Sequence, residues 1–321
     1  MNLQCNNGLA ASSGWLRVNR HCPCLICGKP DWCLISQDGT AVICARIESD
    51  KPAGNKGAGW IHKLTEDRQL LQKPTATASN DYPLASIPRR DLIYNALLWE
   101  LTLSDSHREH LHKRGLSDTD IEDLGYKTLP PDGRATAIRS LVNAGFHMAG
   151  VPGFYFENND VRLLGEPGIL IPIRDVQGMI NGLQVRADKT DGGKYRWISS
   201  ASKPFGCSSG APIHVSHPEY ANGEFWITEG ALKADIAAIK IQRCILAIAG
   251  VGNWPGVIPI VRTLAPARVI VAFDMDKLTN HAVQLHHDAL LTYLINHEIR
   301  TFEADWDSSF NGLDDLIIGG Q

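Results

Sequence analysis

The sequence predicts an α/β protein. A parallel sheet flanked by helices forms its last third, preceded by an α+β region and a small cysteine-rich module. Three observations predict this. From Glu224 onward the short apolar runs FWIT, CILAIAG, RVIVAFD and RTFEAD alternate with helix-spaced segments at 231–241, 254–264 and 281–297. One short strand per helix is the pattern of parallel strands joined by crossovers. Between 89 and 223, helical spacing gives way after Gly150 to strand-like runs. Six of the eight cysteines lie at or before position 44. The expected division is a module at 1–64, a linker at 65–88, a helical and strand region at 89–223 and the sheet region at 224–321.

The cysteine module comes first. Cys24-x2-Cys27 has the spacing of a metal knuckle. WCLISQDGTAVIC reads as a hairpin turning on Asp38-Gly39, a favoured two-residue turn. In that register Cys33 lies opposite Cys44, and directly opposed residues share a face about 4.5–5.5 Å apart. Cys24, Cys27, Cys33 and Cys44 are therefore the expected ligands of one structural zinc ion, with His21 and Cys22 competing for a place. A module this small has little core of its own, so the metal is expected to hold it together.

Residues 65–88, rich in Pro, Thr, Ser and Ala, read as a linker. DLIYNALLWELTLS, from Asp91, is helix-spaced, with Leu92, Ile93, Ala96, Leu97 and Leu101 on one face. Two short helices follow. The first is capped by Ser104 or Asp105, and the second starts at Ser117 with Asp120 completing a capping box. A further helix is expected at 133–145. FYFENNDVRLL, GILIPIRDVQGMINGLQVRAD and KYRWISS are strand-like, and DVQG reads as a hairpin turn.

In the last region Glu229 ends the FWITE strand, where it hands over to a helix. Such a carboxylate either starts the helix or belongs to a metal site. Asp274 and Asp276 follow the apolar RVIVAF, and a spacing of two on an extended chain puts both on one side. The carboxyl ends of parallel strands form the ligand crevice of α/β sheets. Acids meeting there repel unless a divalent cation intervenes, and hard oxygen donors suit Mg2+ or Mn2+. Asp314, next to Asp315 in FNGLDDLI, is a fourth candidate. Basic groups accompany these acids: Arg174, Arg186, Lys194 and Arg196, with Lys203 nearby. Lys233 is either an i,i+4 partner of Glu229 or a phosphate ligand. The histidines show no ligand spacing.

The order of these parts resembles the TOPRIM-containing primases of bacterial and phage type. Glu229-Gly230 at a strand–helix junction, Gly250 after the next strand and Asp274-Met275-Asp276 after the third are similar to a TOPRIM domain. HLHKRGLSDTDIEDLGY and GILIPIRDVQGMINGLQVRADKTDGGKYRWISS resemble the segments that precede it in replicative primases. WDSSFNGLDDLI is similar to the ending of TOPRIM proteins carried by phages, plasmids and integrated elements. The chain departs from the pattern at Lys233, where those primases usually carry an acid, and at Asp314-Asp315, which lack a proline between acids. The resemblance implies a TOPRIM-type sheet, a primase-like subdomain and a zinc-ribbon-like module. It also implies synthesis of RNA primers on single-stranded DNA from ribonucleoside triphosphates. The acids Glu229, Asp274, Asp276 and Asp314 would be catalytic and hold Mg2+ or Mn2+, and Arg174, Arg186, Lys194, Lys233 and Trp32 would bind nucleic acid or nucleotide. A TOPRIM nuclease, or a zinc-containing factor that only binds DNA, would use similar residues. No Walker A motif is present, so a replicative helicase is expected to be a separate protein.

Composition narrows the class. A formal net charge of −4 argues against a protein that merely coats nucleic acid, so contacts with it are expected to be local or cation-assisted. No uninterrupted apolar stretch approaches the ~18 residues of a membrane span. The N-terminus lacks a basic start and a long apolar core, so no signal peptide is expected and the location is expected to be cytoplasmic.

Overall fold

Residues 15–18, 23–36, 41–53, 59–63, 82–191 and 193–319 are described in the computed structural model. The chain divides into two compact units, 1–78 and 79–321. Cys5, His21, Cys22, the Asp38–Gly39 turn and linker residues 65–81 lie outside the described residues. Among the described residues no helix is long and apolar enough to cross a membrane.

The first unit is a four-stranded antiparallel sheet in chain order: β1 (Trp15–Arg17), β2 (Leu34–Ser36), β3 (Ala41–Cys44) and β4 (Trp60–Lys63). Strands β2 and β3 pair Leu34 with Ile43 and Ile35 with Val42. That is the register expected of a turn at 38–39. Its interior comprises Val18, Cys24, Cys33, Ile35, Val42 and Cys44. Half of that interior is thiol, and so little apolar area cannot offset the chain entropy of ordering the module.

The second unit opens with α1 (Ile87–Glu100), which starts four residues before the expected Asp91, with proline in its first turn. It buries Ile93, Tyr94, Leu97 and Leu98. Leu92, expected on that face, is 58% exposed. The buried stripe runs through 93/94, 97/98 and 101, and Leu92 falls one helical step outside it. Next come α2 (Asp105–Lys113) and α3 (Asp118–Leu124). Ser104 caps the former, and Ser117 with Asp120 forms the expected capping box of the latter.

β5 (Lys127–Leu129), α4 (Arg134–Asn143) and the hairpin β6 (Phe154–Glu157) with β7 (Asp160–Leu163) lead to β8 (Gly168–Arg174), β9 (Ile180–Ala187) and β10 (Tyr195–Trp197). These give a four-stranded antiparallel sheet in the order β10-β9-β8-β5. The apolar run of β8 is explained by burial on both faces. Leu170, Leu183 and Val185 pack with α1 and α4, while Ile169, Ile171 and Ile173 pack against Leu232 and Ile236.

The remaining elements are β11 (His214–Ser216), β12 (Glu224–Glu229), α5 (Ala231–Ile241), β13 (Cys244–Ile248), α6 (Val257–Leu264), β14 (Arg268–Val271), α7 (His281–Asn296), β15 (Thr301–Glu303) and α8 (Leu313–Gly319). The sheet order is β11-β13-β12-β14-β15. The four expected strands are parallel, and β11 adds an antiparallel edge. Three residues reading His-Val-Ser carry no apolar run, which is why the sequence did not show β11. Residues 251–256, just before α6, are a 3-10 turn, so that helix is shorter than the expected 254–264. Helix α5 is covered almost all round: Leu232 and Ile236 face the antiparallel sheet, and Ala234, Ala237 and Ala238 face the parallel one. Its alanines let the backbone lie close to β13, while each buried Leu or Ile contributes about 1.5–3 kcal/mol.

One buried polar cluster ties the two sheets together. Asp235, on α5, accepts from His214 Nε2 at 2.8 Å, Ser216 Oγ at 2.6 Å and the Tyr126 hydroxyl. His214 Nδ1 accepts from the Arg174 backbone N–H at 3.0 Å, which sets the Nε2–H tautomer. Burial pushes the Asp235 carboxyl up, but His214, Ser216 and Tyr126 outweigh it and hold the group below its usual value. Asp235→Ala leaves three buried donors without an acceptor, and urea denaturation is expected to show a loss of about 3–5 kcal/mol. Because the folded carboxyl is depressed, its contribution is present above the unfolded carboxylate range and fades as pH falls below it. A loss under about 1 kcal/mol in the alanine variant would show that the cluster does not join the sheets.

Candidate active site and metal centre

The four expected cysteines of the first unit converge. Their sulfurs all lie within 4.8 Å of one another, and Cys27 Sγ is 3.7 Å from Cys33 Sγ. Four sulfurs on a tetrahedron about zinc at ~2.3 Å stand about 3.8 Å apart, so the set fits zinc. The knuckle is closed by Gly28 N–H donating to Cys24 O at 2.8 Å and Cys24 N–H donating to Lys29 O at 2.9 Å. Backbone N–H groups of Ala45 and Ile47 donate to Cys33 and Cys44 sulfurs at 3.4 and 3.3 Å. Arg46 Nη1 stands 3.9 and 3.8 Å from the sulfurs of Cys27 and Cys33, and Arg46 also pairs with Asp31. These donors temper the charge of clustered thiolates. Burial pushes the Cys24 thiol up. At the less buried Cys27, the Lys29 N–H and the neighbouring thiols outweigh burial and bring the group down to about 7. Trp32, in the loop between Cys27 and Cys33, is 81% exposed with a left-handed φ of 64°.

The second site lies at the carboxyl ends of β12 and β14. Glu229 does not start the helix after it. The N-cap of α5 is Gly230, at φ 82°, and it makes no side-chain cap. Gly230 N–H instead donates to Ile248 O at 2.8 Å, turning the chain over the end of β13. A second bridge is made by Thr228 Oγ1, which donates to Ala272 O at 2.8 Å and keeps the ends of β12 and β14 in register.

Strand β14 ends at Val271, and Asp274 caps a 3-10 turn at Met275–Leu278. The two aspartates are thus brought together by a turn, not by the extended spacing expected. Buried Lys277 pins that turn to Glu303 at 2.6 Å and Asp305 at 2.8 Å. The last segment closes the site: Met275 N–H donates to Asn311 O at 2.8 Å, and Asn311 Nδ2 reaches Asp274 Oδ2 at 3.3 Å. Of the neighbouring pair Asp314 and Asp315, the first is fully buried, and the second is exposed and accepts from Gly312 N–H at 3.3 Å.

Each of the four expected acids keeps one buried oxygen without a hydrogen-bond partner: Glu229 Oε1, Asp274 Oδ1, Asp276 Oδ1 and Asp314 Oδ1. Burial, then the charge of Asp274, raises Glu229 to about 7, with Asp276 adding to the effect and Lys233 opposing it. Burial also raises Asp274. Lys233 pairs with Asp274 Oδ2, not with Glu229, and Arg114 pairs with Asp314 Oδ2. The donor set suits a hard divalent cation. The acids stand further apart than the thiols, which are the one group of three or more such ligands to converge within 4.8 Å among the described residues.

A belt of cations borders the acids. Burial lowers Lys194, as do Arg186, Arg114 and Lys233, while Asp314 opposes them. Burial and the same neighbours, Arg186, Arg114 and Lys194, bring His110 down to about 4. Arg186 Nε and His110 Nε2 have no hydrogen-bond partner. Arg174 stands apart from this belt. Its guanidinium donates to the carbonyls of Gly178 and Leu124 at 3.0 and 3.3 Å, holding the β8–β9 turn. Sequence reasoning missed Arg114, His110 and Asn311. Arg114 had a signal, its place in the RGLS segment, whereas His110 and Asn311 acquire their positions only through tertiary packing.

No family model matches the sequence, and no curated protein matches it. Solved structures do match. The zinc-binding and RNA polymerase domains of the Aquifex aeolicus primase superpose at a TM-score of 0.59 and 13% identity, over 98% of this chain and 78% of that one. The RNA polymerase domain of Mycobacterium tuberculosis primase DnaG, in complex with a double-stranded DNA oligomer with a 6-nucleotide overhang, gives 0.57 at 16% identity, over 73% and 77%. A DnaG primase catalytic domain bound to single-stranded DNA gives 0.52 at 18% identity, over 72% and 75%. The fold is therefore that of primase zinc-binding and RNA polymerase domains.

Proposed function

We propose that the protein is a zinc-containing DNA primase that joins ribonucleotides on a single-stranded DNA template. Its divalent-cation site would be of the TOPRIM type, and the chain would serve the replication of a phage, plasmid or integrated element beside a separate helicase. The observation that carries this reading is the set of four acids with unpartnered oxygens, one ending β12, two at the turn after β14 and one on α8, beside a belt of cations. Similarity to primase structures bound to DNA supports the same partner here. Boundaries at 1–64, 65–88, 89–223 and 224–321 remain the domain division we put forward.

Mg2+ or Mn2+ held by Glu229, Asp274 and Asp276, with Asp314 beside them, would supply Lewis acidity for a primer 3′-hydroxyl and for the departing pyrophosphate. The protein's own groups do the rest. Arg186 and Lys194 bind phosphates of the nucleotide or of the template–primer hybrid, and the unpartnered Arg186 Nε is a donor free for one of them. Lys233 and Arg114 hold Asp274 and Asp314 in place. His110, brought down to about 4, stays neutral at working pH and can donate or accept a hydrogen bond without adding charge. In the first unit, Trp32 offers an exposed ring to a template base.

The test is incorporation of labelled ribonucleotide on single-stranded DNA with Mg2+. Primer synthesis dependent on template and metal is expected. Cleavage of the same DNA would replace this reading with a TOPRIM nuclease, and binding without either reaction would indicate a DNA-binding replication factor.

A further inference from the structure

Asp314 is fully buried and Asp274 is 8% exposed, yet the Oδ1 of each has no partner. Both atoms border the same small space beside Gly312. A Cβ placed on Gly312 would lie 2.8 Å from Asp314 Oδ1 and 3.3 Å from Asp274 Oδ1, with Lys233 Nζ 3.2 Å away. Only glycine leaves that space open. Each of these two acids thus splits its oxygens: Oδ2 is taken by a cation of the protein, Lys233 or Arg114, and Oδ1 is left unpartnered.

The placement of Lys233 is unusual on electrostatic grounds. It lies in the first turn of α5, where the helix dipole disfavours a cation. It is nevertheless held against Asp274, and its charge is felt at Glu229. Counting charges, Glu229, Asp274, Asp276 and Asp314 are four negative groups when ionised, and Lys233 and Arg114 are two positive ones. Within the cluster itself, the bordering Arg186 and Lys194 left aside, two negative charges remain, which one divalent cation neutralises; with those two cations alongside, a second divalent ion would overcharge the site.

We propose that Lys233 is a resident cation of the acid cluster and that the cluster consequently takes one divalent ion, not two. This rests on the reading of the acids as a cation site and deepens it. Lys233 occupies Asp274 Oδ2, so a second ion could bridge there only after the ammonium left. The single ion is confined to the unpartnered oxygens. Lys233 is a positioning residue: it fixes the orientation of Asp274 and sets the charge that the ion meets.

The experiment counts Mn2+ by electron paramagnetic resonance on the zinc-loaded full chain at pH 8, with circular dichroism confirming the fold of each variant. Wild type is expected to bind one Mn2+ per chain. Lys233→Gln, one charge more negative, is expected to bind its ion about tenfold more tightly, and Lys233→Asp to bind two. Asp274→Asn is expected to lose the ion. Two ions in the wild type, or Lys233→Gln binding no tighter, would overturn the role of Lys233 while leaving the cation site standing. No Mn2+ in the wild type would overturn the cation site and this inference together.

Discussion

Glu229→Gln is expected to abolish nucleotide incorporation, by about 10²-fold or more, in a protein that stays folded. The side chain caps nothing on α5, so the change removes no helix contact. It does remove a negative charge from a crowded interior. With zinc bound and Mg2+ absent, the variant is expected to be more stable than wild type near pH 8, by about 1–3 kcal/mol. The sign follows from Glu229 being raised to about 7. Between the ordinary carboxylate range and that value, the folded chain binds more protons than the unfolded one. Wild-type stability therefore falls as pH rises through the window, and glutamine, which does not titrate, removes the fall. Asp274→Asn is expected to abolish incorporation likewise, and the double variant to lose little beyond either single, because groups serving one centre are not additive. Near-normal incorporation by Glu229→Gln at saturating Mg2+ would show that the strand ends on a glutamate for structural reasons alone.

Cys27→Ser and Cys44→Ser are each expected to release the zinc, about one ion per chain, and to unfold the first unit. Structural zinc in small modules contributes about 10–16 kcal/mol of binding free energy that is also folding free energy. The buried interior here is six residues, three of them cysteines of the cluster, so nothing else replaces that term. The second unit has separate cores built on Tyr94, Leu183 and Phe273 and is expected to keep its circular dichroism and melting transition. Metal analysis of the purified variants decides the matter: full zinc retention in both would sink the four-cysteine assignment.

Local rules in the sequence determined much of this protein. The Asp38-Gly39 signal predicted a β2–β3 register, and the structure pairs Leu34 with Ile43 and Ile35 with Val42 in that register, because a side-chain period of two leaves little freedom once a register is chosen. Alternating apolar runs and helical spacing determined the four parallel strands and α5, whose 231–241 bounds the structure reproduces. Capping at Ser104 and Ser117 was legible for the same reason: caps act within one turn.

Whatever depended on which distant groups meet, only the tertiary structure decided. Leu92 was lost from the core face because packing selects one stripe of a broadly apolar helix. Strand β11 carries no apolar run and exists because β13 offers it an edge. Lys233 could have paired with Glu229 by spacing, yet it pairs with Asp274, forty-one positions along the chain. Asp314 and Asp315 are chemically identical in sequence. Burial under Arg114, two hundred positions away, directs the first to the acid cluster, while the second caps a backbone N–H. Pattern fixes what a segment is within a turn or a hairpin. Which charges neighbour each other is set by long-range packing, and electrostatic energies at these separations depend on distances that no local rule contains.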